Sequence, residues 1–475
     1  MLNARTRICY GAGGGVYAIK EAAYSTFILL FYTQVLGLSG TVTGAVIAIS
    51  LLWDAVSDPM VGSWSDRLRS RYGRRHPFMV YSTLPIAFGF IGLFSPPAAV
   101  VQSSTLLACW LLFWSLWVRT FVTTFTIPHL ALSAELSGEY AERSQLIGAR
   151  LGFLFLVTLL LPAVGLVLVF GPEQARDGRF IAANYPVYGL LSAGLAIVLG
   201  AITVLGTRHH TSRPDASGEH YAMPHLRDFL ADIAQTLKNR VFRAVLTYEI
   251  AASVGWGCIS TLHVLVGTYV FEFSAGKMAL TFAAPGVLAV GLVWLLLKPL
   301  SQRWQKPQLL RISVWGMLLD ALWLLPLKLA DMLPPNGTTA VLLLYLLQVT
   351  IFVFFFLLRV TNSMSIVADI TDQNQLEEGG RKEGGFFSVI NFTAKLATLA
   401  GPLYGGIVLD VIGLNKLDLP GDVAEPVLAG LMYAWLLAAV PTLLISLRYI
   451  YRIKFSREQV NEIQAALREE CGEKG

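Results

Sequence analysis

The stretch from Trp53 to Phe78 reads WDAVSDPMVGSWSDRLRSRYGRRHPF. It closes an apolar run that begins near residue 41 and carries two aspartates, Asp54 and Asp58, into that run. Five arginines follow (Arg67, Arg69, Arg71, Arg74 and Arg75), and a second apolar run starts at residue 77. An apolar run of about 20 residues has the length of a bilayer-spanning helix. A short arginine-rich connector marks the side of the membrane that faces the cytoplasm. This stretch is therefore a helix–basic loop–helix unit of a polytopic membrane protein, with two carboxylates placed where carboxylates are costly.

The rest of the chain agrees. Of 475 residues, 55% are hydrophobic and 14% charged, against about 25% charged in soluble domains. That excludes a disordered chain, a disulfide-stapled secreted domain and an ordinary soluble enzyme. Twelve apolar spans are legible, at 9–37, 41–63, 77–97, 104–132, 145–171, 183–205, 241–272, 276–298, 309–329, 338–366, 385–412 and 426–450. The first begins at about Cys9 and is too long for a signal-peptide core. The net charge of +5 lies largely in short loops and sets orientation rather than nucleic-acid affinity. Basic residues at 64–76, 206–243, 298–311 and 448–454 outnumber Arg176, Arg179, Lys277, Lys328 and Lys416 on the other side. Both termini are thus expected in the cytoplasm of an inner or plasma membrane. The four cysteines have no metal or redox spacing.

The expected fold is an all-α membrane protein with twelve transmembrane helices in two six-helix bundles. The first bundle takes 1–205 and the second 241–455. Between them lies a cytoplasmic central loop, 206–240, whose later part leads into an amphipathic helix predicted over Leu226 to Leu246. A cytoplasmic tail, 456–475, carries a short helix over 456–470 capped by Ser456. Six plus six spans about a long loop is the layout of two-bundle transporters.

Nine ionisable residues fall at bilayer depth: Lys20, Glu21, Asp54, Asp58, Arg119, Glu249, Asp320, Arg359 and Lys395. Each costs about 2.5–3.5 kcal/mol on insertion scales, so each must face protein or a wet cavity. Some of them are expected to be internal ion pairs that fix packing. Asp54 and Asp58 stand at i and i+4 on one helix face, beside Ser57. Two carboxylates this close cannot both stay ionised without a cation. Either a proton or a hard cation such as sodium serves them, or they bond to Arg119 or Lys395. Arg119, Thr123, Thr126 and Leu130 form one stripe of the fourth span. Ser388, Asn391, Lys395 and Thr398 form a polar stripe of the eleventh.

The Trp53–Phe78 stretch resembles the signature of the glycoside–pentoside–hexuronide:cation symporters, the melibiose-permease-like branch of the major facilitator superfamily. Tyr10–Ser39 (YGAGGGVYAIKEAAYSTFILLFYTQVLGLS), Ile127–Pro128 with Glu142–Arg143, and Val367–Gly401 (VADITDQNQLEEGGRKEGGFFSVINFTAKLATLAG) extend the resemblance through both halves. It implies a cation site at Asp54, Asp58 and Thr123, with Ser57 where sodium-using melibiose permeases have asparagine. It implies substrate-site roles for Lys395 and Arg150. The family's sugar-gripping carboxylates and tryptophan align with Ala18, Thr126 and Leu130, so this is not a melibiose permease. Glu21, one turn from Ala18, is the replacement acid, and Tyr17 and Trp53 stack on a ring or pack. With Arg119 and Lys395 available, an anionic substrate such as a uronide, a sulfonated sugar or a lysophospholipid fits. Asp66, Arg67, Arg74 and Arg75 form a charge cluster at a helix end, which reads as a conformational gate and as a topology signal.

The function expected is therefore cation-coupled symport of a sugar, glycoside or related anionic sugar by alternating access. A lysophospholipid symporter of the same wider family and a non-transporting membrane sensor are the alternatives. The coupling ion is Na+ or H+, with no other cofactor and no metal beyond Na+ at Asp54 and Asp58. The partners expected are a small-molecule substrate and the lipid bilayer, with no nucleic acid, and the protein is read as a monomer. An enzyme is not expected. No Gly-rich phosphate loop is present, and His209, His210, His220 and His225 read as a solvated loop rather than a metal site.

Overall fold

The computed structural model describes residues 3–68, 70, 72–137, 139–171, 177–208, 239–378, 383–414, 419–453 and 457–472. Helix α1 (Ala4–Ala22) continues without a break through π turns at Ala23–Ile28 and Phe31–Val35. Five helices follow in the first half: α2 (Gly40–Arg67), α3 (His76–Phe94), α4 (Ser104–Leu136), α5 (Tyr140–Leu168) and α6 (Asn184–Thr207). The second half opens with α7 (Arg240–Leu265), prolonged by a π turn at Val266–Val270. It continues with α8 (Ala275–Arg303), α9 (Lys306–Ala321) and α10 (Thr339–Glu378). Helices α11 (Glu383–Thr398) and α12 (Ala400–Ile412) share the eleventh span, and α13 (Glu425–Ile450) and α14 (Arg457–Gly472) complete the chain. Among the described residues eleven helices are long and apolar enough to cross a membrane. The first segment, Ala4–Val35, supplies the twelfth expected span. The architecture is the all-α membrane fold read from the sequence.

The central loop falls largely outside the described residues, and so do His209, His210, His220 and His225. Of the helix predicted over Leu226–Leu246, only residues 239–246 are described, and there the helix starts at Arg240. Asn239 has an extended backbone, and its side chain accepts from the amides of Val241 (2.9 Å) and Phe242 (3.0 Å). A side-chain oxygen placed this way satisfies orphan amides and starts a new helix, so Arg240 onward belongs to α7. The tail helix begins at Arg457, with Ser456 outside the described residues.

The chain forms two compact units that do not follow chain order alone. The first takes Met1–Met223 together with Gly267–Ala283 and Pro402–Val427; the second takes the remainder. Within the first unit α1 packs closely on α5. A Cβ on Gly14 would lie 2.2 Å from the carbonyl oxygen of Arg150, so only glycine lets the two backbones approach this closely. The tryptophans of α4 pack on α3. Trp110 donates to the carbonyl of Gly92 (2.9 Å), one of the last carbonyls of α3, and Trp117 to that of Pro85 (2.9 Å). Two polar knots secure the unit's later segments. The Asp410 carboxylate accepts from the amides of Gly40 and Thr41 (both 2.8 Å) and from Ser39 Oγ (2.6 Å). It thereby caps the electropositive start of α2. Arg179, 1% exposed, pairs with Asp177 (2.5 Å) and donates to Thr268 Oγ1 (2.5 Å) and the Phe273 carbonyl (2.6 Å). Apolar side chains such as Leu168, Trp294 and Val411 stay exposed, as hydrocarbon-facing surface requires.

Gly14→Ala is expected to push α1 from α5 and cost about 1–3 kcal/mol, the usual cost of overpacking. The check is the thermal unfolding midpoint of the purified protein in detergent, which should fall while Gly152→Ala, with open space around its Cβ, leaves it unchanged.

Candidate functional site

Helices α2 and α4 run side by side in a constant register of 65 residues. Arg119 Nη1 meets Asp54 Oδ2 at 2.6 Å, and Thr123 Oγ1 donates to Asp58 Oδ1 at 2.9 Å. One turn further on, Gly62 lies by Ile127. Both helices advance one turn in about four residues, so a partner at one step brings the next pair together. Trp53 Nε1 donates to Thr120 Oγ1 (2.8 Å) on the outer edge of the same seam.

Asp54 is the electrostatic centre. Its Oδ2 also lies 3.4 Å from Lys20 Nζ of α1, and Lys20 in turn reaches Glu21 at 3.2 Å. Arg119 is 2% exposed; its Nε donates to Ser50 Oγ (2.9 Å) and its guanidinium lies over the Tyr24 ring. Lys20 lies over the Tyr17 ring, 4.3 Å from its centroid. The sequence leaves open whether the two aspartates share a cation or bond to a basic residue. The structure places Lys20 and Arg119 on Asp54 and Thr123 on Asp58. Two acids (Glu21, Asp54) face two bases (Lys20, Arg119), and Asp58 adds a further carboxylate one turn along.

The hydroxyls of Ser57, next to Asp58 in sequence, and of Thr126, one turn from Thr123, are buried and make no hydrogen bond among the described residues. A buried hydroxyl with no partner calls for an ion, water or ligand. Three oxygen-bearing side chains, Ser57, Asp58 and Thr123, are what a hard cation or a proton would use. Arg119, by contrast, is held away from solvent by Asp54 and Ser50. Glu21 keeps 43% of its side chain exposed, and Tyr17 and Arg150 are half-buried. Lys395 is exposed on α11 of the second unit, where Thr398 Oγ1 donates to its carbonyl (2.7 Å).

The charge cluster at the end of α2 closes through Arg75. It pairs with Asp66 (2.6 Å) and with Glu135 at the end of α4 (3.1 Å), and it donates to Ser65 Oγ (2.6 Å). Arg74 reaches the same Glu135 at 3.4 Å. Arg67 is exposed, and Arg69 and Arg71 lie outside the described residues. Glu135 was not singled out by sequence reasoning, nor were Ser50 and Tyr24. The packing of α2 on α4 was the missing signal: it brings Ser50 within reach of the Arg119 side chain and Glu135 to the end of α2, where Arg75 joins it to Asp66. In the second unit, Glu249 of α7 accepts from Arg359 Nη1 (2.8 Å), Tyr248 Oη (2.5 Å) and Ser363 Oγ. That is the packing ion pair the sequence offers as one reading of these two residues.

A bundle of apolar helices with a buried, oxygen-lined charge cluster defines a membrane transporter rather than an enzyme. Residues 9–457 match the family described as MFS/sugar transport protein, and the chain belongs to that family, in agreement with the resemblance carried by Trp53–Phe78. A symporter of Synechocystis sp., sll1374, is 33% identical over 176 residues, covering 35% of this chain and 32% of that one. The chain thus matches about a third of that relative's length. The Escherichia coli protein YagG, named as a glycoside/cation symporter, is 23% identical over 418 residues, 87% of this chain and 84% of its own. Sodium-dependent lysophosphatidylcholine symporter 1 of Gallus gallus is 28% identical over 165 residues, 34% of this chain and 30% of its own. Among solved structures, a D-xylose–proton symporter superposes with a TM-score of 0.61 at 12% identity, covering 93% of this chain and 96% of its own. At that identity the likeness shows the fold alone.

Removing the Asp54 charge leaves Lys20 and Arg119 buried together. Asp54→Asn is expected to destabilise by about 3–5 kcal/mol, the cost of breaking a buried ion pair. The double variant Asp54→Asn/Arg119→Gln should lose less than the sum of the single changes. Thermal unfolding of the four proteins checks this; strict additivity would show that the pair is not coupled.

Proposed function

We propose that this protein is a cation-coupled secondary symporter that imports a sugar, glycoside or related anionic sugar by alternating access. The observation that carries the cation site is the buried Ser57 hydroxyl without a hydrogen-bond partner beside the Asp58–Thr123 pair. Family membership and the names of full-length relatives such as YagG support the symport reading. In this proposal Asp58, Thr123 and Ser57 take the Na+ or H+. Asp54, with its charge countered by Lys20 and Arg119, shapes the field one turn away. Binding of the cation raises substrate affinity, and by linkage the substrate raises cation affinity by the same factor. Arg119 acts chiefly by positioning Asp54. Tyr17, Glu21, Thr126 and Arg150 are assigned to substrate contact in the first unit, and Lys395 in the second. Asp66, Arg74, Arg75 and Glu135 hold the ends of α2 and α4 together as a gate element, with Arg67 on its exposed side. The protein is assigned as a monomer, and the loop charges put both termini in the cytoplasm.

A lysophospholipid substrate is the second reading, favoured by the similarity to the Gallus gallus symporter over a third of the chain. Thermal stability of the purified protein against glycosides, uronides and lysophospholipids, in sodium chloride and in choline chloride, separates the two. Stabilisation by a sugar that is larger in sodium supports the first, and stabilisation by lysolipids alone supports the second. Stabilisation without uptake in proteoliposomes would indicate a sensor.

With a substrate in hand, Asp58→Asn is expected to lower accumulation against a gradient about tenfold or more, a coupling loss of at least about 1.4 kcal/mol. Downhill exchange should persist. Undiminished uphill accumulation in this variant would remove Asp58 from the coupling site.

A further inference from the structure

One bilayer-depth acid has no part in the site above. Asp320 is 4% exposed on α9. Its span runs from Lys306 to Leu329, and at about 1.5 Å per residue Asp320 lies about 21 Å along it, inside the hydrocarbon thickness. Every other buried acid discussed here has a basic or hydroxyl partner. Asp320 accepts from two neutral donors: Trp323 Nε1 to Oδ1 at 3.1 Å, and Gln348 Nε2 of α10 to Oδ2 at 3.0 Å. Among the described residues it forms no ion pair. A bare carboxylate in this setting carries the full desolvation cost of its charge.

The partner on Oδ2 is informative. A glutamine side chain presents two donors on one side and an acceptor on the other. With its NH2 toward Asp320 it satisfies a carboxylate. Rotated by half a turn, it offers its Oε1 to a carboxylic acid O–H at the same place. Trp323, a donor only, serves Oδ1 in both forms. The pocket therefore satisfies Asp320 charged or neutral, whereas a structural ion pair satisfies only the charged form.

The surrounding titratable groups are few. On α10, the helix packed on α9, Tyr345 stands three residues before Gln348 on the same face and hydrogen-bonds His263 Nδ1 of α7 at 3.0 Å. Arg359 lies eleven residues beyond Gln348, about 16 Å along the helix, and is committed to Glu249. Lys328 sits on the short helix Leu324–Leu329 that ends the span, and Arg311 is on α9 itself, over the Tyr451 ring.

We propose that Asp320 is a second ion site, a reversible proton-binding carboxyl in the second unit, separate from the Asp58 cation site. The step is a simple proton transfer. A proton leaves hydronium for Oδ2 of Asp320, the Gln348 amide turns so that Oε1 accepts the new O–H, and deprotonation returns the proton to water. The proposal deepens the symporter reading, because it makes the transporter proton-responsive whichever ion binds at Asp58.

The test needs no substrate. Infrared difference spectra of the full-length protein in detergent, recorded across acid to alkaline pH, are expected to show, among the carboxyl C=O bands that grow as pH falls, one that belongs to Asp320. That band should vanish in Asp320→Asn and persist in Asp58→Asn. Gln348→Leu, which serves the neutral acid better than the anion, should keep the band to higher pH. Titrating carboxyl bands that all survive Asp320→Asn unchanged, or an Asp320 band constant at every pH, would overturn the proposal. If Asp320→Asn fails to fold, the upward displacement of the titration in Gln348→Leu still decides: no displacement overturns it. A titrating Asp320 in a protein with no uptake would count against the symporter reading alone; uptake with a silent Asp320 would count against this inference alone.

Discussion

The contact between Arg119 and Asp54 is the constraint on which the first unit is organised. Neither group can be left alone in a low-dielectric interior, because an unpaired charge there costs far more than any single packing contact returns. Meeting at 2.6 Å fixes the register of α2 on α4, and that register then delivers Asp58 to Thr123, while Arg75, at the start of α3, bridges Asp66 of α2 to Glu135 of α4. Lys20 ties α1 to the same carboxylate. One ion pair thus sets the relative height of three helices, and the glycines of α1 let its backbone close on α5 behind them.

The same rule explains the rest of the buried charge. Glu249 and Arg359 pair between α7 and α10, and Lys306 and Asp369 pair at 2.6 Å between α9 and α10. Where a charge would otherwise be stranded at a helix end, the backbone supplies the complement. Asp410 takes the free amides at the start of α2, and Arg179 takes a carbonyl beyond the π turn of α7. Among the buried polar atoms that stand outside this scheme are the hydroxyls of Ser57, next to Asp58 in sequence, and Thr126, one turn from Thr123.

The distinction between a structural charge and a working one comes from the chemistry of the partner. Arg119 is matched by an acid and a hydroxyl and is buried on every side, which suits a fixed strut. Asp58, half-buried on the helix seam, accepts from the Thr123 hydroxyl, a weaker contact than a guanidinium makes. Both residues look alike in the sequence, as charges in apolar spans.

Hydropathy and loop charge by themselves determined that the chain is a twelve-span helical membrane protein, because a bilayer accepts little else. They also located nine ionisable residues at depth, and the i, i+4 spacing placed Asp54 and Asp58 on one face. Which charges meet was decided only by the tertiary structure. Pairing depends on the register between helices far apart in the chain, and no local pattern encodes an offset such as the 65 residues that join Asp54 to Arg119. The same holds for Glu135, Ser50 and Gln348, ordinary polar residues in sequence that gain meaning from what packing sets against them. The helix start at Asn239 was written locally, as an amide side chain before an apolar run, yet a longer amphipathic pattern masked it. Periodicity reports the face of a helix and says less about where it begins.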